Sequence, residues 1–131
     1  LGWNKRLRML AAGPTMARVL DAITTTRATF NGCNTSAWRE DVLEVNGFDE
    51  RMEYGGLDRE LGERLVNAGV RPKQCRHRLI CVHLDHARGY IRQEAWQRNR
   101  SIRRHTCRNR ITRTPYGIQQ DEAQPALRRA A

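Results

Sequence analysis

The sequence predicts an α/β fold. Two stretches carry that prediction. Residues 58–68 set Leu61, Leu65, Val66 and Ala68 at helical spacing, whereas residues 75–83 alternate, with Cys75, His77, Leu79, Cys81 and His83 on one face. A chain of 131 residues is long enough to bury one core.

The elements follow in order. Residues 1–27 are basic and broken by Gly13-Pro14, and are expected to form a connector holding a short helix from Thr15 to Ala22, with Thr15 as its cap. Residues 28–38 read as a strand passing into polar loop chemistry, with Trp38 directed to the core. A short helix runs from Arg39 to Val45 and is stopped by Asn46-Gly47, after which Phe48 serves as an apolar anchor. The strongest helix extends from Asp58 to Ala68 and ends at Gly69. On it, Glu60 and Arg64 form an i, i+4 pair of favourable orientation, worth a few tenths of a kcal/mol. After the 75–83 strand, a long basic helix is expected over 91–108, anchored by Trp96 and Ile102. Thr114-Pro115-Tyr116-Gly117 is a turn, and residues 119–131 are expected to be a disordered tail.

Net charge is +10 at pH 7, which favours anionic partners. The excess is local: between Arg88 and Arg113 there are nine arginines against the single acid Glu94. No apolar run approaches the length of a membrane span, and no signal peptide is visible. The four cysteines, at 33, 75, 81 and 107, form no Cys-x-x-Cys pair, so reduced thiols in a cytoplasmic protein are expected, with a peripheral position at the inner membrane face as an extension of the charge argument. Leu1 rather than Met suggests a fragment, a processed product or a trimmed chain, and an active site shared with residues outside it is an expectation.

Two motifs concentrate the chemistry. Glu53-Tyr54-Gly55-Gly56-Leu57-Asp58 puts a carboxylate after an aromatic-Gly-Gly turn at the start of a helix, and His83-Leu84-Asp85-His86 puts two imidazoles three residues apart. With Asn31-Gly32-Cys33-Asn34-Thr35-Ser36-Ala37-Trp38 and Val45-Asn46-Gly47-Phe48-Asp49-Glu50, these blocks stand in an order that resembles the C-terminal half of family 2 glycosyltransferases and the C-terminal galactosyltransferase region of bacterial polysaccharide and animal enzymes. The resemblance covers about residues 28–90 and implies the acceptor-side part of a GT-A nucleotide-sugar transferase, with residues 91–118 as a basic helical extension. It implies inverting transfer of a hexose from a nucleotide-diphosphate sugar, a UDP-sugar in the first instance, to a glycan acceptor. The family's Asp-x-Asp motif occurs nowhere in this sequence, so an N-terminal donor-binding half is expected as a missing partner, with an inactive glycosyltransferase fragment that retains only the fold as the alternative.

The resemblance also implies roles. Asp58 matches the catalytic base that takes the proton from the acceptor hydroxyl, and a helix N-terminus favours its ionised form. The same residue is also a plain N-cap candidate. Tyr54, Gly55 and Gly56 match the acceptor-binding turn: the ring suits a sugar face or core packing, and the glycines permit a tight turn and close approach. Leu57 stands where the family usually has an acceptor-binding Glu, and Glu53 is the nearby carboxylate able to substitute. Asn34 and Ser36 match a loop lining the donor cleft, and equally suit a loop held by side-chain to backbone bonds. Arg88 belongs to a stretch suited to closing over the diphosphate. His83 and His86 match the metal-ligand segment, implying a divalent cofactor, Mn2+ or Mg2+, with His86 the first choice.

Two rival assignments compete for some of these atoms. Cys75, His77, Cys81 and His83 are a chemically legal zinc set, but i, i+2 steps of about 6.5–7 Å along a straight strand do not close a tetrahedron. The arginine-rich region suits nucleic acid, yet it lacks helix-turn-helix spacing, a zinc finger or an aromatic RNA motif, and a solvated helix face or a contact with anionic membrane lipid or a polyanionic polysaccharide suits it at least as well.

Overall fold

The computed structural model describes residues 13–81 and 92–119. The chain divides into two units, one of Leu1–Thr29 with Pro72–His86, the other of Phe30–Arg71 with Ala87–Ala131. The described residues hold four helices and no strand. They supply the helical part of the expected α/β arrangement, and both expected strands are corrected below.

In the first unit, α1 spans Pro14–Ile23. Gly13 is its N-cap and Pro14 its first helical residue, so Thr15 lies inside the helix rather than capping it. Asp21, on α1, organises the segment expected as a strand. It accepts from the His77 N–H at 2.9 Å and from Arg78 Nε at 2.7 Å, and contacts His77 Nδ1 at 3.0 Å. The N–H groups of Arg78 and Leu79 both turn back to the Cys75 carbonyl. The 75–81 backbone therefore makes a turn fastened to a carboxylate, and its alternation does not register with a ladder. Burial raises the Asp21 carboxyl, but the hydrogen bonds from Arg78 and His77 outweigh it and hold the pKa at about 2.

The second unit holds α2 (Arg39–Glu44), α3 (Leu57–Asn67) and α4 (Gln93–Arg108). Val45, Leu61 and Leu65 form its buried apolar centre, with Phe30, Ala68 and Val70 packed against it. Gly62 lies under Phe30, whose Cβ is 2.3 Å from where a Cβ on Gly62 would stand, which accounts for a glycine inside a helix. Val66, assigned to the apolar face on spacing, is 48 % exposed, and Trp38, assigned to the core, is 78 % exposed. Residues 31–34 turn, with the Asn34 N–H on the Asn31 carbonyl at 2.8 Å, so the 28–38 strand is also absent.

Both α2 and α3 end in paired backbone bonds of the Schellman type. In α2 the N–H groups of Asn46 and Gly47 reach Leu43 and Val42, with Asn46 left-handed at φ 68. In α3 those of Gly69 and Val70 reach Val66 and Leu65, with Gly69 at φ 97. Asn46 then gathers the C-terminal segment: its amide donates at 2.7 Å to the Thr114 and Gln119 carbonyls and accepts from the Gln119 N–H at 2.7 Å. Gly117 passes so close to the Asn46 carbonyl that a Cβ there would sit 1.7 Å from the oxygen. Buried Asp49 accepts from Thr114 Oγ1 at 2.9 Å and pairs with both arms of Arg51, whose guanidinium lies 3.7 Å over the Tyr116 ring.

Glu60 and Arg64 are buried, at 1 % and 0 % exposure, rather than lying on a solvated face. Arg64 grips Glu60 through Nε and a terminal nitrogen at 2.8–3.0 Å, and donates onward to the Val45 and Gly47 carbonyls. Thr106 Oγ1 of α4 completes the Glu60 carboxylate at 2.9 Å. The pair thereby ties α3 to the end of α2 and to α4.

α4 docks on α3 through Ala95, Asn99 and Thr106, with Ile102 half-buried in the same stripe. Trp96, expected to anchor the helix, is half exposed. Among the described residues no helix is long and apolar enough to cross a membrane.

Candidate active site

The segment Glu53–Asp58 lies in the second unit and runs from the connection after α2 into the first turn of α3. Gly55 and Gly56 take φ values of 117 and 88, which L side chains rarely adopt. Gly56 is the N-cap of α3, so Asp58 is the second helical residue and not the cap. The glycines have a second constraint. A Cβ on Gly55 would stand 2.8 Å from Trp96 Cδ1, and one on Gly56 would stand 3.3 Å from Arg103 Cδ. Helix α4 thus covers the face of the turn where side chains would project.

Asn99 holds the turn from beneath. Its side-chain amide donates to the carbonyls of Glu53 at 2.9 Å, Tyr54 at 3.4 Å and Gly55 at 3.0 Å. Asn99 is fully buried, and its Oδ1 has no partner among the described residues. That orientation follows from the three carbonyls, which accept only from the nitrogen. Glu53 is occupied by Arg98 at 2.8 Å and Arg92 at 3.5 Å. The Arg98 hydrogen bond is the chief cause of its lowered pKa.

Asp58 is half-buried in the first turn of α3. Its Oδ2 accepts from the Gly32 N–H at 3.0 Å and its Oδ1 from the Arg59 N–H at 2.8 Å. The first bond brings the 31–34 turn, which includes Asn34, to the head of α3. Ser36 is exposed beyond that turn. Tyr54 is 44 % exposed, which leaves part of its ring open to solvent.

Asp58, Tyr54, Gly55, Gly56 and Asn34 therefore converge on one end of the second unit. His83, His86 and Arg88 lie outside the described residues. Among the described residues no group of three or more His, Cys, Asp or Glu side chains is placed to hold a metal. In the rival zinc set, His77 is committed to Asp21 and Cys75 accepts from Arg78, while His83 lies outside the described residues.

Residue-by-residue reading overlooked Asn99 and Arg103 and gave Trp96 only as a helix anchor. The available signal was the stripe Ala95, Asn99, Ile102, Thr106, which follows helical spacing with polar residues at alternate positions. Arginine density obscured it.

Comparison with known proteins adds one match. Residues 12–87 fit the family model described as the N-terminal domain of galactosyltransferase. That description names an N-terminal domain where the sequence reading named a C-terminal region, although the matched range contains the same motifs through His86. No curated protein and no solved structure matches the chain.

Proposed function

We propose that this chain, which belongs to the galactosyltransferase family and carries a glycosyltransferase domain of that kind, contributes the acceptor-side catalytic base of an inverting hexosyltransferase. The carrying observation is the Asp58 carboxylate, held by two backbone N–H groups at the head of α3 beside the Tyr54-Gly55-Gly56 turn.

The chemistry follows from that placement. Two backbone N–H donors fix the orientation of the carboxylate. Each oxygen keeps a further lone pair, so an acceptor hydroxyl can hydrogen-bond to Asp58 and transfer its proton as its oxygen attacks the anomeric carbon. The nucleoside diphosphate leaves from the opposite side of that carbon, and configuration inverts. Tyr54 offers its ring to the acceptor sugar, and the Asn34–Ser36 loop lies on the donor side.

The donor is proposed to be a UDP-sugar bound by a complementary half containing the Asp-x-Asp motif, with Arg88 near the diphosphate. A divalent ion, Mn2+ or Mg2+, is proposed at His83 or His86, where it would offset charge on the departing diphosphate. The described residues offer it no ligand cluster, so the base mechanism stands on Asp58 alone.

The test is transfer from UDP-sugars by this sequence extended upstream, with and without Asp58→Asn. The amide keeps an oxygen for the Gly32 N–H but cannot take the proton. Turnover should fall by about 10²–10⁴-fold with unchanged circular dichroism. Normal turnover in the variant would remove Asp58 from the mechanism.

A further inference from the structure

The arginines of α4 divide into two groups. Arg92 and Arg98 are paired with Glu53, and Arg103 is held by Glu63 through Nε at 3.1 Å and a terminal nitrogen. Arg100, Arg104 and Arg108 are exposed, and none makes a hydrogen bond or ion pair among the described residues. They recur at four-residue steps, about 6 Å apart along the axis. From Ala95 to Gln119 the sequence contains no acid.

At one edge of this stripe lies a cleft of about 230 Å³, lined by Glu63, Arg100, Arg103, Arg104 and Cys107. Glu63 neutralises Arg103 and leaves Arg100 and Arg104 as uncompensated charge there. Arg103 also stands beside Gly56. Arg103 thus borders both the cleft and the turn that heads α3, within the same unit.

We infer that the α3–α4 cleft and the Arg100, Arg104, Arg108 stripe bind a polyanionic glycan, the carboxylate-bearing acceptor chain whose end reaches Asp58. This rests on the transferase reading above and narrows its acceptor. Planar guanidinium forks match carboxylates in pairs, and a row of them matches a chain of repeated charges better than a single ion. A bilayer surface is the poorer fit, because the less polar face of α4 is buried on α3 and leaves no apolar face to insert. Nucleic acid is the poorer fit because no Phe, Tyr or Trp interleaves the stripe between Arg100 and Arg108.

The experiment measures binding by the upstream-extended protein of an octasaccharide with a uronic acid at every second position, against maltooctaose. Alkylation of Cys107 serves as a local footprint and that of exposed Cys81, in the other unit, as the control. The uronate chain should bind at least tenfold more tightly, weaken with salt, and slow alkylation of Cys107 but not Cys81. Arg100→Gln/Arg104→Gln should lose tenfold or more in that binding, while Asp58→Asn retains it. Equal affinity for the two saccharides, unchanged binding in the double variant, or tighter binding of an oligonucleotide or of phosphatidylserine vesicles would each overturn the proposal. Turnover on a neutral acceptor without uronate binding overturns this proposal alone. Uronate binding with wild-type turnover in Asp58→Asn overturns the catalytic assignment alone.

Discussion

Replacing Arg64 with Met should be among the most damaging single changes in the second unit. The guanidinium neutralises Glu60 and donates to two carbonyls, all out of contact with water. Its loss strands a buried carboxylate, and breaking such a pair from one side costs about 3–5 kcal/mol. For a chain of this length that corresponds to a fall in Tm of roughly 12–20 °C, taking about 4 °C per kcal/mol. Glu60→Leu should cost a similar amount by leaving the cation unpaired. The double variant removes both charges and leaves the Val45 and Gly47 carbonyls and the Thr106 hydroxyl short of a partner, at about 1–3 kcal/mol for each group that water cannot reach. At the middle of these ranges it should be less destabilised than the sum of the singles, by about 2 kcal/mol. Urea denaturation followed by tryptophan fluorescence measures all three. A loss below about 1 kcal/mol in Arg64→Met, or simple additivity in the double variant, would show that the pair does not join α2, α3 and α4 as described.

Two further outcomes follow from the site and from the first unit. Asn99→Ala removes one donor shared by three carbonyls, and should destabilise the chain by about 1–3 kcal/mol and reduce transfer by the extended protein; a Tm equal to that of the parent would mean the turn needs no support from α4. The Asp21 carboxyl, at about 2 in the folded chain, lies below its unfolded value of about 3.9, so its stabilisation is present above pH 4 and is lost as pH falls from 4 towards 2. Asp49, also lowered, acts in the same direction, since the Arg51 and Thr114 hydrogen bonds outweigh the upward effect of burial. Acid titration monitored by circular dichroism should show this loss, and Asp21→Asn should flatten it; an unchanged profile in the variant would mean that the carboxylate is not what fastens residues 75–78.

The helices were legible because their signals are local. Gly69 and Asn46-Gly47 mark stops through the left-handed conformations they tolerate, and the α3 and α4 spans follow from spacing to within two residues or so at each end. What failed depended on partners distant in sequence. The 75–81 alternation resembled a strand, but Asp21 claims its backbone and nothing near residue 77 announces that. Glu60 and Arg64 looked like a surface pair because charge normally seeks water, and only the carbonyls of residues 45 and 47 and the Thr106 hydroxyl make their burial tolerable. Asp58 was found through motif order, whereas Asn99 was hidden because an asparagine in a basic helix carries no chemical label. Trp38 misled because large aromatic rings usually seek a core, and this one does not.

The clasp between Asn46 and Gln119 spans 73 residues of chain. Ribosomes add about 5–20 residues per second, so α2 and its following loop would emerge roughly 4–15 s before the segment that satisfies the Asn46 amide and the Asp49 carboxylate. Through most of that interval the head of α3 would also lack Asn99 and Thr106. The second unit therefore gains its polar interior last, and a ribosome stalled before residue 99 would present a nascent chain in which Asn46, Asp49 and Glu60 are still hydrated.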